Sequence, residues 1–189
     1  SPTIDADVDN VVDISRGTTL EQGDTRINTV EHTMAALAGL QVDNSLIQLD
    51  GPEPPIMDGS AQFFVEALEE AGFEEQNALR NFLEVHEGIF YRDNERNVEI
   101  AALPLDDYRV TVMVDYNSPV LGSQHASLND VTQFSEEISS CRTFCFLHEL
   151  EMLYKEGLIK GGDLNNAIVV VDRKVEESEL QYLAGLFNK

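Results

Sequence analysis

Hydrophobic residues recur at the helical period in five segments of the chain. In residues 61–71 the apolar side chains fall every three or four positions, which places Phe64, Leu68 and Ala71 on one helix face. Residues 29–39 are rich in Ala, Met and Leu, which are strong helix formers. The same reasoning predicts helices at residues 130–139, at 147–156 and, from a weaker pattern, at 176–187.

Alternation of apolar and polar positions predicts strands between these helices. Val110, Val112 and Val114 show the two-residue period of a half-buried strand most clearly. Residues 117–128 contain a proline and a glycine and are expected to form a loop. The predicted strands are short pieces within residues 4–20, then residues 42–49, 82–91, 98–103, 108–116 and the buried strand 166–171.

Residues 50–60 contain three prolines and two glycines, which exclude both a helix and a central strand. This segment is therefore expected to be a shaped loop. Its last residue, Ser60, is expected to cap the following helix, as Thr29 is expected to cap the helix at residues 29–39.

The order of the predicted elements indicates an α+β fold made of two sheet-and-helix units. The polar segment 74–80 is the best boundary between them, because the pattern changes there from helices to strands. We therefore expect a first domain at residues 1–78 and a second domain at residues 79–189.

Composition and charge narrow the classes of partner. Of the 189 residues, 42% are hydrophobic, which is enough for a folded core. The formal net charge of −23 would repel a nucleic-acid backbone or an anionic membrane, so both partner classes are excluded.

No apolar run approaches the ~20 residues of a membrane span, and the start lacks the basic and apolar regions of a signal peptide. Cys141 and Cys145 form no CxxC motif, which favours free thiols in the cytoplasm.

Glu31 and His32 are the neighbouring residues with the clearest chemical potential. From the residues alone, two interpretations stay open: a catalytic or metal-binding pair, or an acid that decorates a helix start beside a half-buried structural histidine. His86, His125 and His148 form no i,i+4 pair, and His148 is expected to be a solvated helix residue. The HExxH, GxSxG, Walker A and GxGxxG motifs are absent.

Six short stretches occur in an order that is far more specific than any one of them. They are residues 7–13 (DVDNVVD), 29–32 (TVEH), 37–40 (LAGL), 55–60 (PIMDGS), 141–146 (CRTFCF) and 161–169 (GGDLNNAIV). Together they closely resemble the UDP-3-O-acyl-N-acetylglucosamine deacetylases, the zinc amidases of lipid A synthesis. The resemblance runs over nearly all 189 residues.

The resemblance implies a zinc-dependent enzyme that removes the N-acetyl group from a UDP-linked acylated amino sugar. It also implies two-layer α/β sandwich domains whose helical layers face each other, with the active site between them. On matching positions, Glu31 is the general base, His32 is the first zinc ligand, and Thr143 is the hydroxyl donor that stabilises the oxyanion.

The resemblance further implies a substrate-binding region that begins at Phe144 and Phe146, the aromatic residues beside the substrate. Residues 147–169 match an element that forms an apolar passage for the acyl chain. The candidates for its lining are Leu150, Ile159, Asp163, Leu164 and Val169. The ordinary alternative is that the apolar residues among them belong to the core, and that Thr143 is only a strand residue.

The sequence also departs from the family. Two further zinc ligands on a His-Lys-x-x-Asp helix, a general acid in a Gly-His pair and the opening strands of the first domain have no match here. We therefore expect an internal part of the enzyme, whose remaining Zn²⁺ ligands lie outside this chain and which is inactive alone. A fused second enzyme further along the gene is left open.

The charge of −23 also requires a local source of positive charge for a diphosphate substrate, and Arg142, Lys160 and Arg173 are candidates. The alternative function is a non-catalytic module whose acidic surface binds a protein partner.

Overall fold

A computed structural model describes residues 2–15, 17–155 and 163–187. The first part of the chain forms a three-stranded antiparallel sheet followed by two helices. Its elements are a 3-10 turn at Val8–Asn10, the strands β1 (Val11–Asp13), β2 (Thr19–Gln22) and β3 (Thr25–Ile27), and the helices α1 (Glu31–Gly39) and α2 (Gln62–Ala71). Strand β2 is central, with Leu20 opposite Val11 on one side and opposite Ile27 on the other.

The later part of the chain contains two hairpins, a parallel strand pair and three helices. Its elements are β4 (Ile89–Asp93), β5 (Val98–Ala102), β6 (Val110–Asp115), β7 (Ser123–Leu128), a 3-10 turn at Val131–Gln133, α3 (Phe134–Glu137), β8 (Phe144–Phe146), α4 (Leu147–Lys155), β9 (Ile168–Val170) and α5 (Glu177–Phe187). Strands β4 and β5 pair antiparallel, as do β6 and β7, whereas β8 and β9 pair in parallel. The α+β class that the sequence predicted is confirmed.

A small core joins helices α1 and α2 to the later part of the chain. Ala36, Ala61, Val65, Leu128 and Phe134 form one buried cluster. A Cβ atom on the residue at position 39 would lie 2.1 Å from the Phe134 ring, so a glycine is required where this ring meets α1. Burial of a Phe side chain contributes about 1.5–3 kcal/mol. None of the helices in the described residues is both long enough and apolar enough to cross a bilayer.

Three of the predicted strands need correction. Residues 42–49 form no strand. The strand predicted at residues 82–91 begins only at Ile89. Residues 166–171 were expected to be a buried strand, but β9 is limited to three residues and Ile168 is 46% exposed.

The segment 117–128 was expected to be a loop, but its second half is strand β7, which pairs with β6 along its whole length. The β7 sequence is SQHASL, so it carries little apolar alternation. Its hydrogen bonds to β6 define the strand instead.

The two predicted helix caps have different outcomes. Thr29 does not cap α1, because its φ is +56° and its hydroxyl donates to Glu53 Oε2 over 3.0 Å. The residue that precedes α1 is Val30, which has no side-chain cap bond. The Ser60 hydroxyl does accept the backbone N–H of Gln62 over 3.1 Å, so Ser60 supplies a capping oxygen at the start of α2 as predicted.

Candidate active site

The carboxylate of Glu31 is attached to the backbone that leads into β2. Its Oε2 accepts the N–H of Thr18 over 2.7 Å, and the Thr18 carbonyl accepts the N–H of Val30 over 3.1 Å. Glu31 lies in the first turn of α1, where the partial positive charge of the helix N-terminus favours a carboxylate. Its side chain is therefore held in a defined place and is not a freely solvated surface acid.

His32 follows Glu31 on α1 and is half-buried. Within residues 2–15, 17–155 and 163–187, no side chain or backbone group forms a hydrogen bond or ion pair with its imidazole. The same described ranges hold no group of three or more His, Cys, Asp or Glu side chains that could surround a metal ion. His32 can thus offer one nitrogen ligand, and this part of the chain does not complete a metal site.

The proline-rich loop at residues 50–60 contacts the segments of both Glu31 and Thr143. At one end, the Pro52 carbonyl accepts the N–H of Asn28 over 2.9 Å, just before α1. At the other end, the Gly59 carbonyl accepts the N–H of Thr143 over 2.7 Å. One loop therefore connects the segment that leads to the Glu31–His32 pair with the segment that carries Thr143.

Thr143 is held by its backbone while its side chain is exposed. In addition to the bond with Gly59, its carbonyl accepts the N–H of Ile168 over 2.9 Å. Gly59 has a φ of +84°, and a Cβ atom there would lie 2.1 Å from the Asn166 carbonyl oxygen and 2.9 Å from Thr143 Cγ2. Only glycine permits this close approach of the loop to the segments of Thr143 and Asn166.

Arg142 links the loop to the segment before β9. Its Nε donates to the Asp58 carbonyl over 2.6 Å, and its Nη2 donates to the Asn165 carbonyl. The Asp58 carboxylate in turn accepts the hydroxyl and the N–H of Ser60 over 2.7 and 3.1 Å. Burial raises the pKa of Asp58, but the Ser60 hydrogen bonds and the Arg142 charge outweigh burial and hold the pKa below its usual value.

The three cations expected near a diphosphate have other partners or lie outside the described residues. Arg142 binds backbone carbonyls, and Arg173 pairs with Glu179 over 2.6 Å. Lys160 lies outside the described residues.

The two predicted aromatic residues after Thr143 belong to a larger aromatic cluster. The ring of Phe144 lies 5.8 Å from that of Phe146, edge to face, and Tyr116 lies 5.4 Å from Phe144 and 6.2 Å from Phe146. The imidazole of His148 stacks on Phe146 at 5.6 Å. Sequence reasoning missed Tyr116, because a residue that follows a strand carries no signal for a contact 28 positions away.

His148 was expected to be a solvated helix residue, and it does lie in α4 with a side chain that is 59% exposed. The sequence did not predict its contact with Asp172. Its Nδ1 lies 2.5 Å from Asp172 Oδ2, and the Asp172 side chain is only 16% exposed. The pair joins the start of α4 to the residues that follow β9. The only sequence feature that could have indicated this contact was Asp172, an acid directly after the predicted strand 166–171.

The candidates for the acyl passage have different environments. Leu150 on α4 is buried, Val169 in β9 is half-buried, and Leu164 is 36% exposed. The Asp163 carboxylate accepts the N–H groups of Asn165 and Asn166 over 2.7 and 3.2 Å, so it stabilises its own turn. Ile159 lies outside the described residues.

Comparison with known proteins identifies the family. The pattern of the UDP-3-O-acyl N-acetylglycosamine deacetylase family (LpxC) matches residues 1–184. The chain is 53% identical to a bifunctional enzyme LpxC/FabZ of Chlorobaculum tepidum, over 97% of this chain and 39% of the relative. It is 45% identical to a bifunctional enzyme LpxC/FabZ of Bacteroides thetaiotaomicron, over 98% of this chain and 40% of the relative.

A third relative, the UDP-3-O-acyl-N-acetylglucosamine deacetylase of Teredinibacter turnerae, is 40% identical over 96% of this chain and 61% of the relative. The chain therefore spans about two-fifths of the length of the two bifunctional relatives and about three-fifths of the third. The match nevertheless covers nearly every residue of the chain. The chain belongs to the UDP-3-O-acyl N-acetylglycosamine deacetylase family.

Proposed function

We propose that this chain is the central part of a zinc-dependent deacetylase that acts in lipid A synthesis. Its substrate is UDP-3-O-(3-hydroxyacyl)-N-acetylglucosamine, from which it removes the N-acetyl group in the cytoplasm. The observation that carries the proposal is the family match over residues 1–184. The activity belongs to the complete protein, and we expect this stretch alone to be inactive.

His32 is the proposed zinc ligand within this chain. Catalytic zinc sites ordinarily have about three protein ligands and one open position. Because the described residues supply no group of three, the remaining ligands are proposed to lie outside this chain. When bound, zinc polarises the carbonyl and makes a water molecule more acidic.

Glu31 is the proposed general base. Its Oε2 is bound to the N–H of Thr18, so Oε1 is the oxygen that accepts a proton from the attacking water. His32, the proposed zinc ligand, is the next residue of α1.

Thr143 is the proposed donor to the oxyanion. Attack by water on the acetamide carbonyl places negative charge on the carbonyl oxygen, and the hydroxyl of Thr143, an exposed residue, donates a hydrogen bond to it. The carbon–nitrogen bond then breaks, the amine nitrogen takes up a proton, and acetate leaves. Loss of one such donor in other enzymes costs about 3–4 kcal/mol in the transition state.

The substrate-binding surface is proposed to begin at Phe144 and Phe146. The passage for the acyl chain is assigned to Leu150, Ile159, Asp163, Leu164 and Val169. The two domains are proposed to be residues 1–78 and 79–189, with the active site between them. Since two relatives are named bifunctional, we further propose a fused second enzyme domain downstream in the complete protein.

Acetate release by the complete protein tests this function. We expect release from the acylated UDP-sugar to stop when a chelator removes the metal and to return when zinc is added. His32→Ala should lose both bound zinc and activity, whereas the control His86→Ala should retain both, because His86 is 83% exposed. A complete protein that binds no zinc and releases no acetate would instead support the non-catalytic acidic module.

A further inference from the structure

A glycine and a backbone amide lie against the carboxylate of Glu31. The N–H of Thr18 donates to Oε2 over 2.7 Å. A Cβ atom built on Gly17 would lie 2.9 Å from Oε1, 3.4 Å from Oε2 and 3.6 Å from Cδ of the same side chain. The three nearest atoms therefore all belong to Glu31, so the space beside Gly17 is taken by the proposed catalytic carboxylate.

We propose that Gly17 and the backbone N–H of Thr18 are positioning elements for Glu31 in catalysis. The proposal rests on the role of Glu31 as general base. The amide fixes one carboxylate oxygen, and the missing side chain at position 17 leaves room for the other. Neither group touches the substrate, so both act only through Glu31.

Thr18 holds both the side chain of Glu31 and the backbone that precedes Glu31. Thr18 donates its N–H to the Glu31 side chain and accepts the N–H of Val30, the residue before Glu31, over 3.1 Å. The next residue, Thr19, is 4% exposed and begins β2, the central strand of its sheet. The support for Glu31 therefore comes from the residue directly before the buried start of the central strand.

A side chain at position 17 would meet the carboxylate and would also strain the backbone, because Gly17 has a φ of +156°, which residues other than glycine rarely adopt. At 2.9 Å the contact is too short to persist, and the atom it meets is the end of a flexible side chain, which can rotate away. A displacement of about 1 Å in a reacting group can cost on the order of a hundredfold in rate. The rate of the chemical step should thus fall through the displaced carboxylate, in addition to any loss of stability from the strained backbone.

Kinetics of the complete protein with Gly17→Ala test the proposal. We expect kcat to fall about ten- to hundredfold, with KM and zinc content unchanged. The matched control is Gly23→Ala, because Gly23 also has a positive φ, +62°, but a Cβ there meets nothing within 4 Å. Parent kcat in Gly17→Ala, or an equal loss in Gly23→Ala, would overturn the proposal.

A double-mutant cycle separates an effect through Glu31 from a general effect on the fold. In a Glu31→Ala background, Gly17→Ala should cause no further loss of the residual rate, because the displaced group is gone. A loss by the same factor in both backgrounds would show that Gly17 acts on the fold, and would overturn the proposal. If Glu31→Ala itself keeps the parent rate, the general-base role on which the proposal rests is wrong, whereas the deacetylase function is tested separately by acetate release from the parent protein.

Hydrogen exchange gives a second test that needs no variant at position 17, should Gly17→Ala fail to fold. In Glu31→Ala the Thr18 amide should exchange at least about tenfold faster than in the parent, while the amides of β2 keep their rates. An unchanged Thr18 rate would mean that the amide does not hold the carboxylate, which would contradict the proposal.

Discussion

At the scale of single residues, Asp58 connects the proline-rich loop to the segment of Thr143. Its carbonyl accepts from Arg142, and its carboxylate accepts two hydrogen bonds from Ser60. Arg142 also donates to the Asn165 carbonyl. It therefore joins the proline-rich loop and the segment before β9, the two segments whose backbone binds Thr143. The charge of Asp58 is therefore part of what holds the proposed oxyanion donor in place.

The network predicts a loss of stability in acid. The pKa of Asp58 is lower in the folded protein than its usual value, so its contribution is present at neutral pH and is lost as pH falls through the folded pKa. The difference in Tm between the parent and Asp58→Asn should shrink as pH is lowered from about 7 to about 3. Asp24→Asn, at an exposed acid in the turn after β2, is the control. A difference that stays constant over this pH range would contradict the prediction.

Sequence reasoning predicted the residues of the site better than their partners. The resemblance assigns roles to Glu31 and Thr143, because the stretches that contain them are specific in order and spacing. Those roles stay predictions. Sequence reasoning did not find the amide of Thr18, because a backbone donor has no side-chain signature. It also missed Tyr116, because the contact of Tyr116 with Phe144 depends on how distant elements pack.

At the scale of elements, most of the helices were predictable and part of the strands was not. The helix predicted at residues 130–139 is only the 3-10 turn Val131–Gln133 followed by the four-residue α3. The bounds of α2 and α4 follow from apolar spacing within one segment, which is a local property. Strand β7 depends on hydrogen bonds to β6, and its own residues are mostly polar. Segment 42–49 was predicted to be a strand but pairs with no strand in the described residues, so its pattern alone was not sufficient.

The start of α4 gives a prediction at this scale. Glu149 Oε2 accepts the N–H of Phe146 over 3.0 Å, as the third helical residue does in a capping box. Glu149→Ala should destabilise the complete protein by about 1 kcal/mol and speed amide exchange in the first turn of α4. Glu70→Ala, at an exposed acid on α2, is the control. Equal exchange rates in α4 for the parent and Glu149→Ala would contradict this role.

At the scale of the whole molecule, the two hairpins expose an unusual amount of apolar surface. Phe90 is 68% exposed, Ile100 is 61% exposed and Met113 is 78% exposed. In the described residues each hairpin is a sheet of only two strands, and such a sheet is marginally stable without a layer packed on it. These surfaces and open strand edges favour association with other chains.

This chain by itself should therefore self-associate. Sedimentation analysis should show a mass that rises with protein concentration, because the exposed hairpin faces bury apolar area when copies meet. Phe90→Lys should reduce the association, since it places a charge in the centre of the β4–β5 face. A monomer with a cooperative thermal transition would contradict the prediction. The domain division at residues 78 and 79 remains a prediction.

The central claim is that Glu31 is the base of a deacetylase, and one measurement tests it most directly. Glu31→Gln in the complete protein keeps the shape of the side chain and the hydrogen bond to Thr18 but removes the proton acceptor. We expect acetate release from the acylated UDP-sugar to fall about a hundredfold or more, with zinc content unchanged. Release at the parent rate by the zinc-loaded Glu31→Gln protein would contradict the account.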